Sequence, residues 1–200
     1  MKLLLLGANG QLGQALQQQS AWYSFNTVAL NRQQLDLTNA DALAAALGQH
    51  QADVIINCAA YTAVDAAEQQ HQQCMAVNVT AVQQLAKWCG QQQALLLHFS
   101  TDYVFDGSKS TPYNEDDVPN PQSAYGASKL AGEQAMGQQD AIVRISWVCG
   151  FHGANMVKTI LKLGATMPEL KFVDDQIGNP TFADDAAKAI VHIANSGLGG

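Results

Sequence analysis

The chain has 200 residues, of which 48% are hydrophobic and 14% are charged. This length and apolar content suffice for one globular domain with a packed core and argue against intrinsic disorder. The formal net charge of −7 and the lack of any lysine and arginine cluster argue against a nucleic-acid or anionic-membrane surface. No apolar run approaches the roughly 18 residues that cross a bilayer, and no targeting segment is recognisable, so we expect a soluble cytoplasmic protein.

Short apolar runs alternate along the chain with longer segments of helical periodicity. This pattern predicts strands at residues 3–6, 27–30, 54–58, 94–99, 141–148 and 170–173. It predicts helices at residues 11–19, 39–49, 72–92, 122–136, 155–163 and 183–195. Regular alternation of strand and helix predicts an α/β fold, a Rossmann-like doubly wound parallel sheet with helices on both faces.

Three glycines separate the first predicted strand from the first predicted helix. Gly7, Gly10 and Gly13 are spaced as Gly-x-x-Gly-x-x-Gly directly after four leucines. In this position glycines let the backbone turn tightly and approach a pyrophosphate at the N-terminus of a helix. We therefore expect a dinucleotide-binding loop, against the alternative that these glycines only allow close packing of helix and sheet.

The residues after the second predicted strand bear on which dinucleotide binds. An acidic residue there would bind the ribose hydroxyls of NAD, but this chain has Asn31 followed by Arg32. No carboxylate repels a 2′-phosphate at that place and a guanidinium attracts one, so we expect NADPH to be accepted, with a preference for it over NADH left open. The alternative is that Arg32 is only a solvated loop residue. Asp36 and Leu37 follow closely, where the aspartate can contact the adenine amino group.

Small or polar residues end the third and fourth predicted strands. Asn57 is followed by small side chains up to Ala60, which leaves room for a cofactor or merely permits close packing. The fourth strand ends at Ser100, Thr101 and Asp102, and the carboxyl ends of strands line the ligand crevice of open α/β sheets.

Two polar residues lie inside apolar segments. We interpret His98, within the fourth predicted strand, as a buried structural histidine rather than an acid or base. Asn78, within the long helix that precedes this strand, is expected to bond backbone groups of the fourth strand and so to brace the site.

Tyr125 and Lys129 form the strongest chemical signal in the chain. Their spacing of four residues places both side chains on one face of a helix, where a cation can lower the pKa of a phenol. We expect Tyr125 to protonate a substrate carbonyl oxygen that the hydroxyl of Thr101 also binds. The long polar loop at residues 106–121, just before this helix, is expected to form a wall of the substrate site.

Together these motifs resemble the extended short-chain dehydrogenase/reductase superfamily. Within it, successive blocks of the chain look like those of the dTDP-4-dehydrorhamnose reductase family. The blocks lie, in the family's order, at residues 62–68, 99–107, 123–133, 144–148 and 175–181.

The resemblance implies reduction of the C4 ketone of dTDP-4-dehydro-L-rhamnose to dTDP-L-rhamnose, an activated sugar for cell-surface polysaccharide. Tyr125 would donate the proton, Lys129 would tune it and hold the nicotinamide ribose, and Thr101 would polarise the ketone. Asp102 and Trp147 would touch the dTDP-linked keto-sugar. The expected dinucleotide contacts, besides Tyr125 and Lys129, are Gly7, Gly10, Gln11, Leu12, Gly13, Asn31, Arg32, Asp36, Leu37, Ala59, Ala60 and Tyr61.

Metal binding and assembly depart from part of the family. Some members are described as dimers bridged by magnesium through glutamates, one of them just after the glycine loop. Gln14 and Ala15 occupy that place here, so we expect no metal and leave a homodimer open. The widely spaced cysteines are expected to be reduced thiols rather than zinc ligands: Cys58, Cys74, Cys89 and Cys149.

Family members continue beyond the length of this chain. We therefore expect residues 1–200 to form a NAD(P)-binding domain in which a substrate-binding lobe begins at about residue 150 and is largely missing. A truncated chain of this kind would keep the cofactor site and hold the sugar nucleotide poorly.

Two other functions stay open from the sequence. Tyr-x-x-x-Lys with a nicotinamide cofactor also serves epimerases, dehydratases and other reductases that act on nucleotide sugars. A non-catalytic regulatory subunit would keep the dinucleotide fold, although it would have no need of Thr101, Tyr125 and Lys129 together.

Overall fold

The structure, a computed structural model, describes residues 1–23 and 25–197. Its strands are β1 (Lys2–Leu6), β2 (Asn26–Leu30), β3 (Val54–Asn57), β4 (Leu95–Thr101), β5 (Ala141–Ile145), β6 (Val148–Cys149) and β7 (Thr181–Phe182). Its helices are α1 (Gln11–Ser20), α2 (Ala40–His50), α3 (Val64–Ala67), α4 (His71–Met75), α5 (Ala81–Gln92), α6 (Ala124–Glu133), α7 (Met156–Gly164) and α8 (Ala183–Ser196). A π-helical segment, Ala76–Thr80, joins α4 to α5, and a 3-10 turn, Asp102–Val104, follows β4.

Five parallel strands form the central sheet in the order β2-β1-β3-β4-β5. The chain first builds outward from β1 to β2 and then returns to place β3 on the other side of β1. Ligands of open α/β sheets bind outside the carboxyl ends of the strands at such a point of reversal. The α/β fold predicted from the sequence is confirmed, and the sheet directs the glycine loop to that crevice.

The leucines of β1 show why helices cover both faces of the sheet. Leu3 and Leu5 pack in a cluster with α1 and α8, whereas Leu4 and Leu6 pack in a second cluster with α2 and α5. All four are at most 2% exposed. Each such burial stabilises the fold by about 2 kcal/mol as an upper estimate, so the sheet is held from both sides.

Two predicted strands differ from the structure. The strand at 141–148 divides into β5 and β6 because Trp147 between them adopts a left-handed backbone conformation, with φ of 46°. The prediction of a strand at 170–173 was wrong. Phe172 and Val173 are 51% and 66% exposed, so these apolar residues have no packed face. In the described residues β6 pairs instead with β7.

Most predicted helices form with shifted ends. The helix at 72–92 contains the π-helical segment, where the carbonyl of Asn78 lies so close to Gly132 of α6 that a Cβ there would overlap it. The helix at 122–136 begins later, at Ala124, because the Ser123 hydroxyl accepts from the Gly126 amide and caps it. α3 and the 3-10 turn lie outside every predicted helix.

The segment that follows β6 is packed differently from the sheet. No residue of α7 is buried, although its apolar side chains fall on one face. Within residues 1–23 and 25–197, none of the helices has the length and apolar character needed to cross a membrane. The cysteines are free thiols.

Candidate active site

The glycine loop connects β1 to α1 at the point where the sheet order reverses. Gly7 has φ of 79°, and a Cβ on it would lie 2.7 Å from the backbone nitrogen of Ala59. A Cβ on Gly13 would overlap the carbonyl oxygen of Gly7. Close packing of the backbone therefore requires glycine at positions 7 and 13, whether or not a dinucleotide binds.

Gly10 differs from the other two glycines. A Cβ there would meet only the carbonyl oxygen of Gly7, at 3.3 Å, and the residue is exposed. Gly10 is the N-cap of α1, where no side chain caps the helix and no acidic residue occupies the first turn. The free amides and positive dipole end of α1 therefore suit an anion, and the small N-cap allows a pyrophosphate to approach.

Gln11 and Leu12 use their side chains elsewhere. Gln11 accepts a hydrogen bond from the Asn155 amide at 3.0 Å, and its own amide lies 3.5 Å from the carbonyl oxygen of Val148. Leu12 packs against the core cluster of α1 and α8. If Gln11 and Leu12 contact a pyrophosphate, as predicted, their backbone amides are therefore the groups that bind it.

The residues after β2 form a compact turn. The Asn31 side-chain oxygen accepts from the backbone amides of Gln33 and Gln34 at 2.9 and 3.2 Å. Arg32 is exposed and makes no ion pair within the described residues, so its guanidinium is available to a phosphate. The structure thus leaves a cation, and no carboxylate, at the first residues after β2.

Asp36 and Leu37 have contrasting environments. The Asp36 carboxylate accepts from the backbone amide and hydroxyl of Thr38, and these hydrogen bonds lower its pKa from the ordinary value. Leu37 is buried in the core cluster of α2 and α5. Only the aspartate therefore offers its side chain to an adenine.

The segment after β3 is fixed by Asn78 of the π-helical segment. Tyr61 donates its backbone amide to the Asn78 side-chain oxygen at 2.9 Å and accepts from the Asn78 amide at 3.1 Å. The same amide donates to the Ser128 hydroxyl of α6 at 2.9 Å. The prediction that Asn78 binds β4 was wrong: it joins the strip Ala59–Tyr61 to the helix that carries Tyr125.

Tyr125 and Thr101 lie together at the carboxyl end of β4. Burial raises the pKa of Tyr125 to about 12, and the nearby Thr101 side chain opposes this rise. Thr101 also donates to the Asp102 carboxylate at 3.1 Å, and burial raises the pKa of Asp102 above its ordinary value. The edge of the Tyr103 ring packs on Tyr125, with the ring centroids 5.7 Å apart. A buried, protonated phenol therefore stands beside a hydroxyl, as proton donation to a carbonyl oxygen requires.

The Lys129 amine contacts β4 in this geometry. Its Nζ lies 2.6 Å from the carbonyl oxygen of Phe99 and 3.0 Å from His98 Nε2, and the residue is 1% exposed. Burial lowers the pKa of Lys129 to about 8. The amine therefore faces the sheet here, and its effect on the pKa of Tyr125 stays a prediction.

His98 is the buried histidine that the sequence indicated. It is 1% exposed, and its Nδ1 lies 3.1 Å from the Asn57 amide nitrogen. Asn57, His98 and Lys129 thus form a row of side chains joined by close polar contacts. The sequence analysis did not predict this row. The signal for it was present: Asn57 ends β3 and His98 lies within β4, both as polar residues of apolar strands, and the two are register partners in this parallel pair.

Trp147 lies just beyond β5, whose Ile145 is the register partner of Thr101. It lines a cavity of about 240 Å³ together with β6, the start of α7 and the segment before β7. A Cβ on Gly178 would lie 2.5 Å from the indole nitrogen, so the tryptophan is packed closely on that glycine. The arrangement places an aromatic wall near the end of the strand that carries Thr101.

No cluster of three or more histidine, cysteine, aspartate or glutamate side chains that could hold a metal ion occurs in the part of the chain that the structure describes.

The chain matches known proteins over nearly its whole length. The profile of the family described as RmlD substrate binding domain matches residues 1–199. A dTDP-4-dehydrorhamnose reductase of Mycobacterium tuberculosis is 42% identical over 207 residues, which cover 100% of this chain and 67% of that protein.

Two solved structures resemble the fold closely. A dTDP-4-dehydrorhamnose reductase from Clostridium acetobutylicum has a TM-score of 0.95 and 40% identity, and the match covers 100% of this chain and 72% of that one. A dTDP-4-dehydrorhamnose reductase from Bacillus anthracis, solved in complex with NADP, has a TM-score of 0.95 and 36% identity, with the same coverage of 100% and 72%.

Proposed function

Because the chain belongs to the RmlD substrate binding domain family, we propose that it reduces the C4 ketone of dTDP-4-dehydro-L-rhamnose to dTDP-L-rhamnose with NADPH or NADH. The observation that carries this proposal is the pairing of Tyr125 with Thr101 at the carboxyl end of β4. A phenol whose pKa is raised to about 12 stays protonated at neutral pH and so can donate a proton to a forming alkoxide.

The residues present suit a nicotinamide dinucleotide. The open N-terminus of α1 at Gly10 would hold the pyrophosphate, and the strip Ala59–Tyr61 would lie along the cofactor. Arg32 would attract the 2′-phosphate of NADP, and Asp36 would accept from the adenine amino group. When bound, this cofactor supplies the hydride that the reduction needs.

The side chains of the site would do the remaining chemistry. The Thr101 hydroxyl would bind the ketone oxygen and stabilise negative charge on it, while Tyr125 would give that oxygen a proton. Lys129 would hold the nicotinamide ribose. Asp102 and Trp147 would contact the sugar nucleotide from the ends of β4 and β5.

The expected partner is a dTDP-linked 4-keto-sugar. A cytoplasmic location, the absence of a nucleic-acid partner and a homodimer remain predictions. So does the division of residues 1–200 into a NAD(P)-binding domain with a substrate lobe from about residue 150.

The proposal is tested by following oxidation of NADPH and NADH at the nicotinamide absorbance. The substrates are dTDP-4-dehydro-L-rhamnose and, as controls, GDP- and UDP-linked keto-sugars. Oxidation with the dTDP sugar alone is the expected result. Equal oxidation with a control sugar would identify another nucleotide-sugar reductase, and oxidised cofactor retained through purification would indicate an epimerase. Tight dinucleotide binding without any oxidation, by a version of the chain extended to the length of its relatives, would instead support another nucleotide sugar as substrate or a non-catalytic subunit.

A further inference from the structure

The turn at residues 150–155, between β6 and α7, lies against the first turn of α1. Asn155 donates its side-chain amide to the Gln11 side-chain oxygen at 3.0 Å. A Cβ on Gly153, which has φ of 66°, would lie 2.8 Å from Gln11 Cγ, so the turn passes close to the glutamine stem. The Gln11 amide nitrogen lies 3.5 Å from the carbonyl oxygen of Val148 in β6. One side chain of α1 therefore meets the chain both before and at the end of this turn.

Hydrogen-bonding partners fix the orientation of the Asn155 amide. Its oxygen accepts from the backbone amide of Lys158 at 3.1 Å and so caps α7. A backbone amide can only donate, so the Asn155 nitrogen must point the other way. There its two hydrogens meet the carbonyl oxygen of Gly150 and the side-chain oxygen of Gln11, both 3.0 Å away. Asn155 therefore caps α7 with its oxygen and binds α1 with its nitrogen.

Further contacts hold the same turn from both helices. The Lys158 ammonium, in the first turn of α7, donates to the carbonyl oxygen of Gly153 at 3.0 Å. His152 Nε2 lies 3.2 Å from the side-chain nitrogen of Gln18, two turns further along α1 than Gln11. The turn at residues 150–155 therefore connects the start of α7 to α1.

The two ends of this link belong to different halves of the candidate site. Gln11 is the first residue of α1, directly after Gly10, where the free helix terminus suits a pyrophosphate. Met156, directly after Asn155, lines the cavity beside Trp147. No residue of α7 is buried, so packing against the sheet contributes little to the position of this helix. The contact with Gln11 is therefore well placed to set that position.

We propose that Asn155 is a positioning residue: through Gln11 it ties the start of α7, and with it the cavity beside Trp147, to the dinucleotide site at the N-terminus of α1. A dinucleotide that binds the amides of this terminus fixes the first turn of α1, and the link passes that order to α7. Coupling of this kind is reciprocal, so a ligand that orders α7 tightens dinucleotide binding by the same factor. One hydrogen bond between neutral groups corresponds to a factor of about five. The choice of dinucleotide rests on the proposed function, whereas the link between α1 and α7 does not.

Hydrogen–deuterium exchange with and without NADP⁺ tests the coupling. Asn155→Ser keeps a hydroxyl that can cap α7 but is too short to reach Gln11. In the unmodified protein NADP⁺ should slow exchange in the glycine loop and in residues 150–164, the latter by about fivefold. In Asn155→Ser it should slow the glycine loop alone. Asn195→Ser, the same change at an exposed residue of α8, should behave as the unmodified protein does.

Two outcomes would overturn the coupling alone. One is slower exchange of the glycine loop in the unmodified protein without any slowing of residues 150–164. The other is equal slowing of residues 150–164 in Asn155→Ser and in the unmodified protein. Slowing of neither region by NADP⁺ would reject both the coupling and the proposed cofactor. Slowing of both regions, lost for residues 150–164 in Asn155→Ser, would support the coupling even if no sugar were reduced.

A double-substitution cycle without ligand tests the link itself. Gln11→Met keeps the length of the side chain and removes its oxygen, so it should speed the exchange of residues 150–158, as Asn155→Ser should. The effect in the double variant should be clearly smaller than the product of the two single effects, because both changes remove the same contact. Gln14→Met, at a residue of α1 whose amide donates to Asn9, should leave this exchange unchanged. A double effect equal to the product of the single effects would contradict the link.

Discussion

The sheet with its covering helices and the segment between β6 and β7 both contain apolar residues but bury them very differently. In the first, Ile55 of β3 and Leu85 of α5 are completely buried. In the second, Phe151 is 85% exposed and Ile177 is fully exposed. Buried polar side chains of the first region are also held by hydrogen-bonding partners, as in the row Asn57, His98, Lys129.

The difference separates the two halves of the candidate site. The half that would bind a dinucleotide is determined by packing within the described residues, so its geometry should survive changes elsewhere. The half that would bind a sugar includes Trp147 and the exposed segment, whose apolar side chains contribute little to the folding of these residues. Substitutions should therefore affect stability in the first region and leave it nearly unchanged in the second.

The largest effect is expected from removing the phenol hydroxyl. Tyr125→Phe should lower kcat by about 10²- to 10⁴-fold, because the proton donor is lost while the ring still packs against Tyr103. NADPH affinity, measured by calorimetry, should stay within about twofold, as expected for loss of a donor that acts in turnover. Tyr23→Phe, at a partly exposed ring remote in the chain, is the matched control. Near-normal turnover in Tyr125→Phe would show that Tyr125 is not the proton donor.

Thr101→Val should have the next largest effect. It keeps the shape of the side chain but removes the hydroxyl that donates to Asp102 and lies beside Tyr125, so kcat should fall by about 10²-fold. Thr101→Ser retains the hydroxyl and should recover most of the activity. Steady-state kinetics of both variants distinguish loss of the hydroxyl from loss of packing, and equal rates in the two would contradict the assigned role.

Substitutions at the glycines separate two roles in the first region: close packing of the backbone and access for the dinucleotide. Gly13→Ala should lower the free energy of unfolding by about 2 kcal/mol, because its Cβ overlaps the carbonyl oxygen of Gly7. Gly10→Ala should cost little stability and weaken NADPH binding. Gly48→Ala, where a Cβ meets nothing within 4 Å, should stabilise α2 by up to about 1 kcal/mol. Urea denaturation and calorimetry measure the two effects separately.

The smallest effects come from a matched pair of isoleucines. Ile55→Val removes one buried methylene and should cost about 1 kcal/mol, whereas the same change at Ile177 should cost about zero. Urea denaturation of both variants compares the two regions directly. A loss at Ile177 as large as that at Ile55 would show that the segment before β7 packs more tightly than its exposure indicates.

Local patterns were enough to predict the glycine loop, the parallel sheet and the position of Tyr125. Each depends on neighbours along the chain: leucines before Gly7, or a hydroxyl cap at Ser123 before the helix. The row that holds Lys129 could not be predicted in the same way, because it depends on the register between β3 and β4 and on how deeply α6 sits against them.

The wrong predictions have a common physical origin. The apolar residues at 170–173 favour a strand by propensity, but a strand also needs a partner and a face to bury, and Val173 has neither. The contact of Lys129 with the sheet was missed because helical spacing gives the distance between two side chains but not the direction in which a lysine points.

The most direct test follows the hydride itself. NADPH carrying deuterium at C4 of the nicotinamide, in each of its two stereochemical positions in turn, is incubated with the protein and dTDP-4-dehydro-L-rhamnose. The sugar product is then analysed by mass spectrometry and nuclear magnetic resonance. Direct reduction predicts deuterium at C4 of the rhamnose from one of the two labelled cofactors. A product that carries no deuterium from either cofactor would contradict the account.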